Sequence, residues 1–151
     1  MRKKPNKIDT RIPIVFSVSP VAEDHVALDQ ILGGSKQTHL KFNVLASATL
    51  ASALAVLRKR RIPIVLVERD LPQSSWRDLL QHAVRLPAPP LLIVTSRLAD
   101  ERLWAEAINI GAYDVLAKPF DVQEVCRVVG AAWRHWSEQH ESRRKSASKS
   151  W

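Results

Sequence analysis

Ile64-Val65-Leu66-Val67-Glu68-Arg69-Asp70-Leu71-Pro72 sets four apolar residues directly before a carboxylate and then a turn. A short continuous apolar run rich in Val and Ile suits a strand buried on both faces, as in the middle of a parallel sheet. Glu68 then stands at the carboxyl end of that strand. In open α/β sheets ligands bind at that edge, because the strand-to-helix loops open a crevice there. Glu68 is therefore the first candidate for the centre of a site.

Outward from this stretch, Leu91-Leu92-Ile93-Val94 is a second run of the same kind, set off by Pro87-Ala88-Pro89-Pro90 and delivering Thr95 and Ser96 to its carboxyl end. Residues 12–18, 42–46 and 114–117 read as three further strands. The spacing of apolar residues predicts helices over 21–32, 50–59, 76 to about 85, 99–110 and from Asp121 to about Trp136. Thr49 and Asp121 are suited to N-caps, and Gly33-Gly34 and Gly111 to helix stops. Because Gly33-Gly34 ends a helix and does not open one, it is not a phosphate cradle. Five strands alternating with five helices imply a parallel sheet with helices on both faces. Right-handed crossovers restrict this to a doubly wound α/β fold, a three-layer sandwich.

The chain has 151 residues, enough for one domain with a core of its own. The net charge of +8 is concentrated at the ends. Residues 1–11 carry five Lys/Arg against Asp9, and residues 134–151 carry five against Glu138 and Glu141. The remaining stretch is nearly balanced, with thirteen basic and twelve acidic residues. The expected organisation is a basic arm over 1–11, one domain over 12–136, and a basic, disordered tail over 137–151. A basic tail can touch nucleic acid, an anionic surface or an acidic partner. One cysteine, Cys126, excludes a disulfide framework and is expected to be a buried, inert thiol. No run approaches the roughly 18 apolar residues of a membrane span. The basic, Pro-containing amino end does not read as a signal peptide, so a cytoplasmic protein is expected.

The strand ends present Ser17 and Val18, Glu68, Thr95 and Ser96, and Lys118. With this constellation the sequence resembles the receiver domain of bacterial two-component response regulators over about residues 12–136. The most specific match is Gly111-Ala112-Tyr113-Asp114-Val115-Leu116-Ala117-Lys118-Pro119-Phe120, similar to the family's Gly-Ala-x-Asp-Tyr-Leu-x-Lys-Pro-Phe segment. The resemblance implies a flavodoxin-like sheet of strand order 2-1-3-4-5, a phosphate-contacting lysine at Lys118 and a cis Lys118-Pro119 bond. It also implies a hydroxyl residue at Thr95 that moves towards phosphate on activation. The family's proline lies four residues after the phosphoacceptor aspartate, and four before Pro72 is Glu68.

The departures from the family concern its chemistry. Where receivers carry an acidic pair at the end of the first strand, Ser17 and Val18 align. Without those carboxylates Mg²⁺, a hard ion that takes oxygen ligands, is expected to bind weakly or not at all. A nucleophile displaced by one methylene and deprived of metal loses both placement and electrostatics. Glu68 would instead be a fixed charge that pairs with Lys118 and accepts from Thr95. The aromatic that switches position in the fifth strand aligns with Val115, which cannot switch in that way. These replacements together describe a pseudo-receiver, a stand-alone signalling domain without an output domain or enzymatic activity, working through protein contacts. The competing readings are a phosphorylatable regulator using Glu68 or Asp70, and a nucleic-acid-binding module using the basic tails.

Trp133 and Trp136 are three apart on the last helix, and Trp104 lies on the helix before it. In receivers the fourth helix, fifth strand and fifth helix form the common partner or dimer surface, so these three tryptophans are the interface candidates. His25, His39, His82, His135 and His140 are dispersed and read as surface or cap residues. Ser17 and Ser19 read as turn hydroxyls, since no nucleophile motif surrounds them.

Overall fold

The computed structural model describes residues 12–34 and 41–149. The basic arm over 1–11 and His39 lie outside the described residues. The chain runs β1 (Ile14–Val18), α1 (Ala22–Leu32), β2 (Asn43–Ser47), α2 (Leu50–Lys59), β3 (Ile64–Glu68), a short ribbon of β4 (Asp70–Leu71) and β5 (Ser74–Ser75), α3 (Trp76–Ala83), β6 (Leu91–Ser96), α4 (Glu101–Ile110), β7 (Asp114–Ala117) and α5 (Val122–Lys149). The five long strands form one parallel sheet in the order β2-β1-β3-β6-β7. With the ribbon left out, this is the order 2-1-3-4-5 expected from the resemblance.

Strand alternation sends successive side chains to opposite faces, which explains why the central strands are apolar throughout. Phe16, Val18, Val65, Val67 and Val94 face one layer, built with Ala53 and Leu57 of α2, Leu79 of α3, and Leu103 and Ala107 of α4. Val15, Ile64, Leu66, Ile93 and Leu116 face the other, built with Leu28 and Leu32 of α1 and Val125, Val129 and Ala132 of α5. Helices therefore cover both faces of the sheet.

Local chemistry fixes where the helices start. Thr49 caps α2 in a reciprocal box with Ser52, and Ser75 does the same for α3 with Asp78. The hydrogen bonds from Ser74 and from the Ser75 N–H hold the Asp78 carboxyl below its usual range. Asp100 caps α4 by accepting from the Leu103 N–H at 2.9 Å. Gly111 ends α4 at φ 124°, a conformation suited to glycine.

The last helix departs from the expectation. It does not stop near Trp136 but continues to Lys149, where a disordered tail from Ser137 was expected. Residues 137–149 contain neither Pro nor Gly to break a helix. A tertiary contact also carries the helix past the sheet: Trp136 is buried, donates its indole N–H to the Pro89 carbonyl at 3.1 Å, and stacks on His140 at 3.7 Å between ring centroids. His140 is accordingly buried and not a surface residue.

Candidate site at the carboxyl edge of the sheet

The register of the parallel ladder brings the carboxyl ends of the central strands level. Val18 pairs with Val67, and Glu68 pairs with Thr95. The next residue after β1, Ser19, is tied to the sheet by its N–H, which donates to the Ser47 carbonyl at 2.9 Å. Lys118 follows β7, with its N–H donating to the Ser96 carbonyl at 3.0 Å and a cis bond to Pro119. Four strand ends thus converge on one place.

A three-residue ion cluster fills that place. The Lys118 ammonium lies 2.5 Å from Glu68 Oε2 and 2.7 Å from Asp24 Oδ2. All three side chains are largely withdrawn from solvent, at 7% exposed for Lys118, 14% for Glu68 and 11% for Asp24. Ser19 Oγ donates to Asp24 Oδ2 at 2.7 Å, and its own oxygen accepts the Val21 N–H at 3.1 Å. Thr95 Oγ1 donates to Glu68 Oε2 at 3.3 Å, a long bond. Burial alone would lower the Lys118 pKa, but hydrogen bonds and charge from Asp24 and Glu68 outweigh it and hold the ammonium above its ordinary 10.5.

The residues expected from the sequence divide into two groups. Glu68, Thr95 and Lys118 meet in the cluster. Ser17 and Val18, aligned with the acidic pair, do not reach it. Val18 points into the core beneath α2 and α3, fully buried, because strand alternation turns it away. Ser17 bonds to His25 Nδ1 at 2.7 Å. The other ring nitrogen of His25 lies 2.9 Å from the Ser19 carbonyl, which can only accept, so Nε2 donates to it; in the neutral ring Nδ1 then accepts from the Ser17 hydroxyl. His25 is thus a buckle between α1 and the end of β1, not a plain surface residue. The cluster residues at that end are Ser19 and Asp24. Asp70 lies outside the cluster, four-fifths exposed and 3.9 Å from Arg69.

Asp24 is the functional-site residue that sequence reasoning missed. It sits in the first turn of α1, five residues beyond Ser19, where an acid also suits the helix dipole. The usable signal was the pair Ser19-x-x-x-x-Asp24 opposite a lysine. Val115 is buried in the core. Of the tryptophans, Trp104 is half exposed on α4, while Trp133 packs partly on the core and Trp136 is buried. The expectation that all three form a free interface therefore fails at Trp136, whose ring is engaged within the chain.

Residues 20–130 match the family model described as the response regulator receiver domain. This chain belongs to that family. The receiver is 26% identical over 106 residues to the transcriptional regulatory protein DpiA of Escherichia coli (strain K12), a match covering 70% of this chain and 44% of DpiA. It is 29% identical over 131 residues to the DNA-binding transcriptional regulator NtrC of the same strain, covering 86% of this chain and 27% of NtrC. The receiver thus spans less than half the length of these curated relatives. Among solved structures, the signal receiver domain of an HD domain-containing protein from Pseudomonas fluorescens Pf-5 superposes with a TM-score of 0.73 at 26% identity, covering 89% of this chain and 96% of that one. The chemotaxis response regulator CheY4 of Vibrio cholerae gives a TM-score of 0.68 at 17% identity, covering 80% and 98%, a likeness of fold.

The metal that the family implies does not fit the receiver's donor set. A divalent cation wants six or more oxygens and repels a neighbouring ammonium. Here the carboxylates of Asp24 and Glu68 both face the Lys118 ammonium, leaving no room between them for a second cation. Among the described residues no group of three or more His, Cys, Asp or Glu side chains could hold a metal ion. The same residues contain no helix long and apolar enough to cross a membrane.

Proposed function

We propose that this receiver signals without being phosphorylated, through protein contacts, with its own lysine supplying the positive charge of the site. One observation carries the reading: the Lys118 ammonium sits between two carboxylates, Asp24 at 2.7 Å and Glu68 at 2.5 Å. In-line phosphoryl transfer needs a free, correctly placed nucleophile and a cation that offsets the charge of the incoming group. Glu68 is already committed to Lys118 and Thr95, and the cluster as a whole is closed against a dianion. The domain performs no turnover of its own and works in the cytoplasm.

The test uses a small-molecule phosphoryl donor with Mg²⁺ and intact-mass measurement of the full chain. No mass increase is expected. A stable phosphoryl adduct on Glu68 or Asp70 would establish the competing reading, a working phosphoacceptor. The partner surface we assign to α4, β7 and α5 with Trp104 at its centre, since that ring is 50% exposed and Ile110 at the end of the same helix is 47% exposed. Trp104→Glu should abolish partner capture or self-association while leaving the melting temperature within about 2 °C. Unchanged association would remove Trp104 from the interface.

A further inference from the structure

Opposite the Lys118 cluster, at the amino edge of the sheet, a cleft of about 430 Å³ opens between the end of α2 and the segment leading into β6. Its floor is aliphatic: Leu57, Ile62, Leu86 and Pro90. Its rim is Arg58-Lys59-Arg60-Arg61, all exposed, and no acidic residue lines it. Arg85 is exposed immediately before Leu86.

The α2 helix dipole presents about half a negative charge at this end, enough to complement one cation but not four. The helix finishes at Lys59, and Arg60 turns to extended backbone at φ −129°, so Arg60 and Arg61 have left the helix end. Among the described residues no ion pair engages Arg58, Lys59, Arg60, Arg61 or Arg85, although five other pairings are formed elsewhere. Arg61 alone has a fixed partner, the Trp136 ring, at 5.5 Å. Adjacent unpaired cations repel one another in the free protein, and an anion relieves that repulsion.

We infer that this edge is a docking site for an acidic protein segment that carries aliphatic anchor residues. The aliphatic floor takes Leu-like side chains, and arginine forks accept carboxylates in pairs. A nucleic acid fits less well. Single strands bind by stacking bases on exposed aromatic rings, and the cleft is lined by none; the nearby Trp136 is buried beneath Arg61 and His140. A duplex offers phosphates but nothing to enter an aliphatic cleft. The site lies at the other end of the strands from Lys118, so it operates whether or not the phosphorylation reading above holds.

The experiment is fluorescence anisotropy with the full chain and three labelled probes: a peptide of Glu-Glu-Leu-Leu repeats, the same peptide with Ser in place of Leu, and oligothymidine. The Leu peptide should bind saturably, weaken as salt rises, and bind about tenfold more tightly than the Ser peptide. Arg58→Glu with Arg60→Glu should abolish binding, and Arg58→Lys with Arg60→Lys should weaken it by only a few-fold. Both pairs are exposed, so circular dichroism should report an unchanged fold. Absence of saturable binding, equal binding by the charge-reversed variant, or tighter binding of oligothymidine than of the Leu peptide overturns the inference.

Discussion

Lys118 is the cation on which the carboxyl edge depends. Removing it leaves Asp24 and Glu68 facing each other with only hydroxyl donors from Ser19 and Thr95. Breaking a fully buried ion pair costs about 3–5 kcal/mol, and the partial exposure here reduces that, so Lys118→Met should cost about 2 kcal/mol in urea unfolding. The same vacancy creates an oxygen-lined gap. Millimolar Mg²⁺ or Ca²⁺ should raise the melting temperature of Lys118→Ala while leaving the parent chain unmoved. A parent that responds as strongly would show that Lys118 does not fill the cation position. The alkaline limb of stability tests the same residue. The folded pKa of Lys118 lies above 10.5, so its contribution is complete below pH 10.5 and is lost as pH rises through the folded value. Unfolding midpoints between pH 9 and about 11.5 should fall more steeply for the parent than for Lys118→Met.

Residue by residue, legibility depended on whether a role is written in local pattern. Glu68, Thr95 and Lys118 end apolar strands, and parallel strands of similar length must bring their ends to one edge, so their meeting was predictable. Asp24 was not, because an acid in the first turn of a helix satisfies local rules whether or not it reaches across to another strand. Its contact with Lys118 spans 94 positions and depends on how α1 tilts over β1, which periodicity does not encode.

Among the elements, α5 behaves least like its sequence. Composition alone reads residues 137–149 as a solvated tail, since Ser, Arg, Lys and Glu bury little surface. The helix persists because Trp136 and His140 clamp it against Pro89 and Arg61 beyond the end of the sheet, a tertiary effect. Trp136→Ala should cost about 3 kcal/mol and reduce helical ellipticity, whereas Trp104→Ala, at an exposed site, should change stability by less than about 0.5 kcal/mol. A chain ending after Ser142 should melt with the parent, and one ending after Ser137, without His140, should melt lower. Gly130 offers the opposite change. It is buried inside α5, and a Cβ there would meet its nearest neighbour, Arg134 Nη1, at an ordinary 3.7 Å. Gly130→Ala should therefore stabilise by about 0.5–1 kcal/mol, seen as a rise of roughly 2 °C in melting temperature.

At the scale of the whole molecule, one sheet separates two apolar layers, and its two edges differ in charge. The carboxyl edge gathers Asp24, Glu68 and Asp70; the amino edge gathers Arg58, Lys59, Arg60, Arg61 and Arg85. The layered order was legible from the alternation of strands and helices, because parallel strands and short connections leave few other topologies. The crevice at the carboxyl edge was legible too, but the cleft at the amino edge was not, since it joins the end of α2 to the separate segment before β6. The central strands β1, β3 and β6 are paired on both sides and covered on both faces. Their amides should exchange slowest in hydrogen-exchange mass spectrometry, at the rate of global unfolding, with α4 exchanging faster through local opening. Uniform exchange across sheet and helices would mean that the molecule opens as one unit.

The cluster of Asp24, Glu68 and Lys118 also constrains how this chain can change by mutation. Losing Lys118 strands two facing carboxylates, whereas losing either Asp24 or Glu68 leaves the other paired with the ammonium. Glu68→Asp shortens that side chain by one methylene and draws its carboxylate back from the ammonium. Lys118 is therefore the position least open to substitution, and either acid the more open one. The cluster is thus asymmetric under substitution: the lysine is fixed by two neighbours, and each carboxylate is answered by one ammonium.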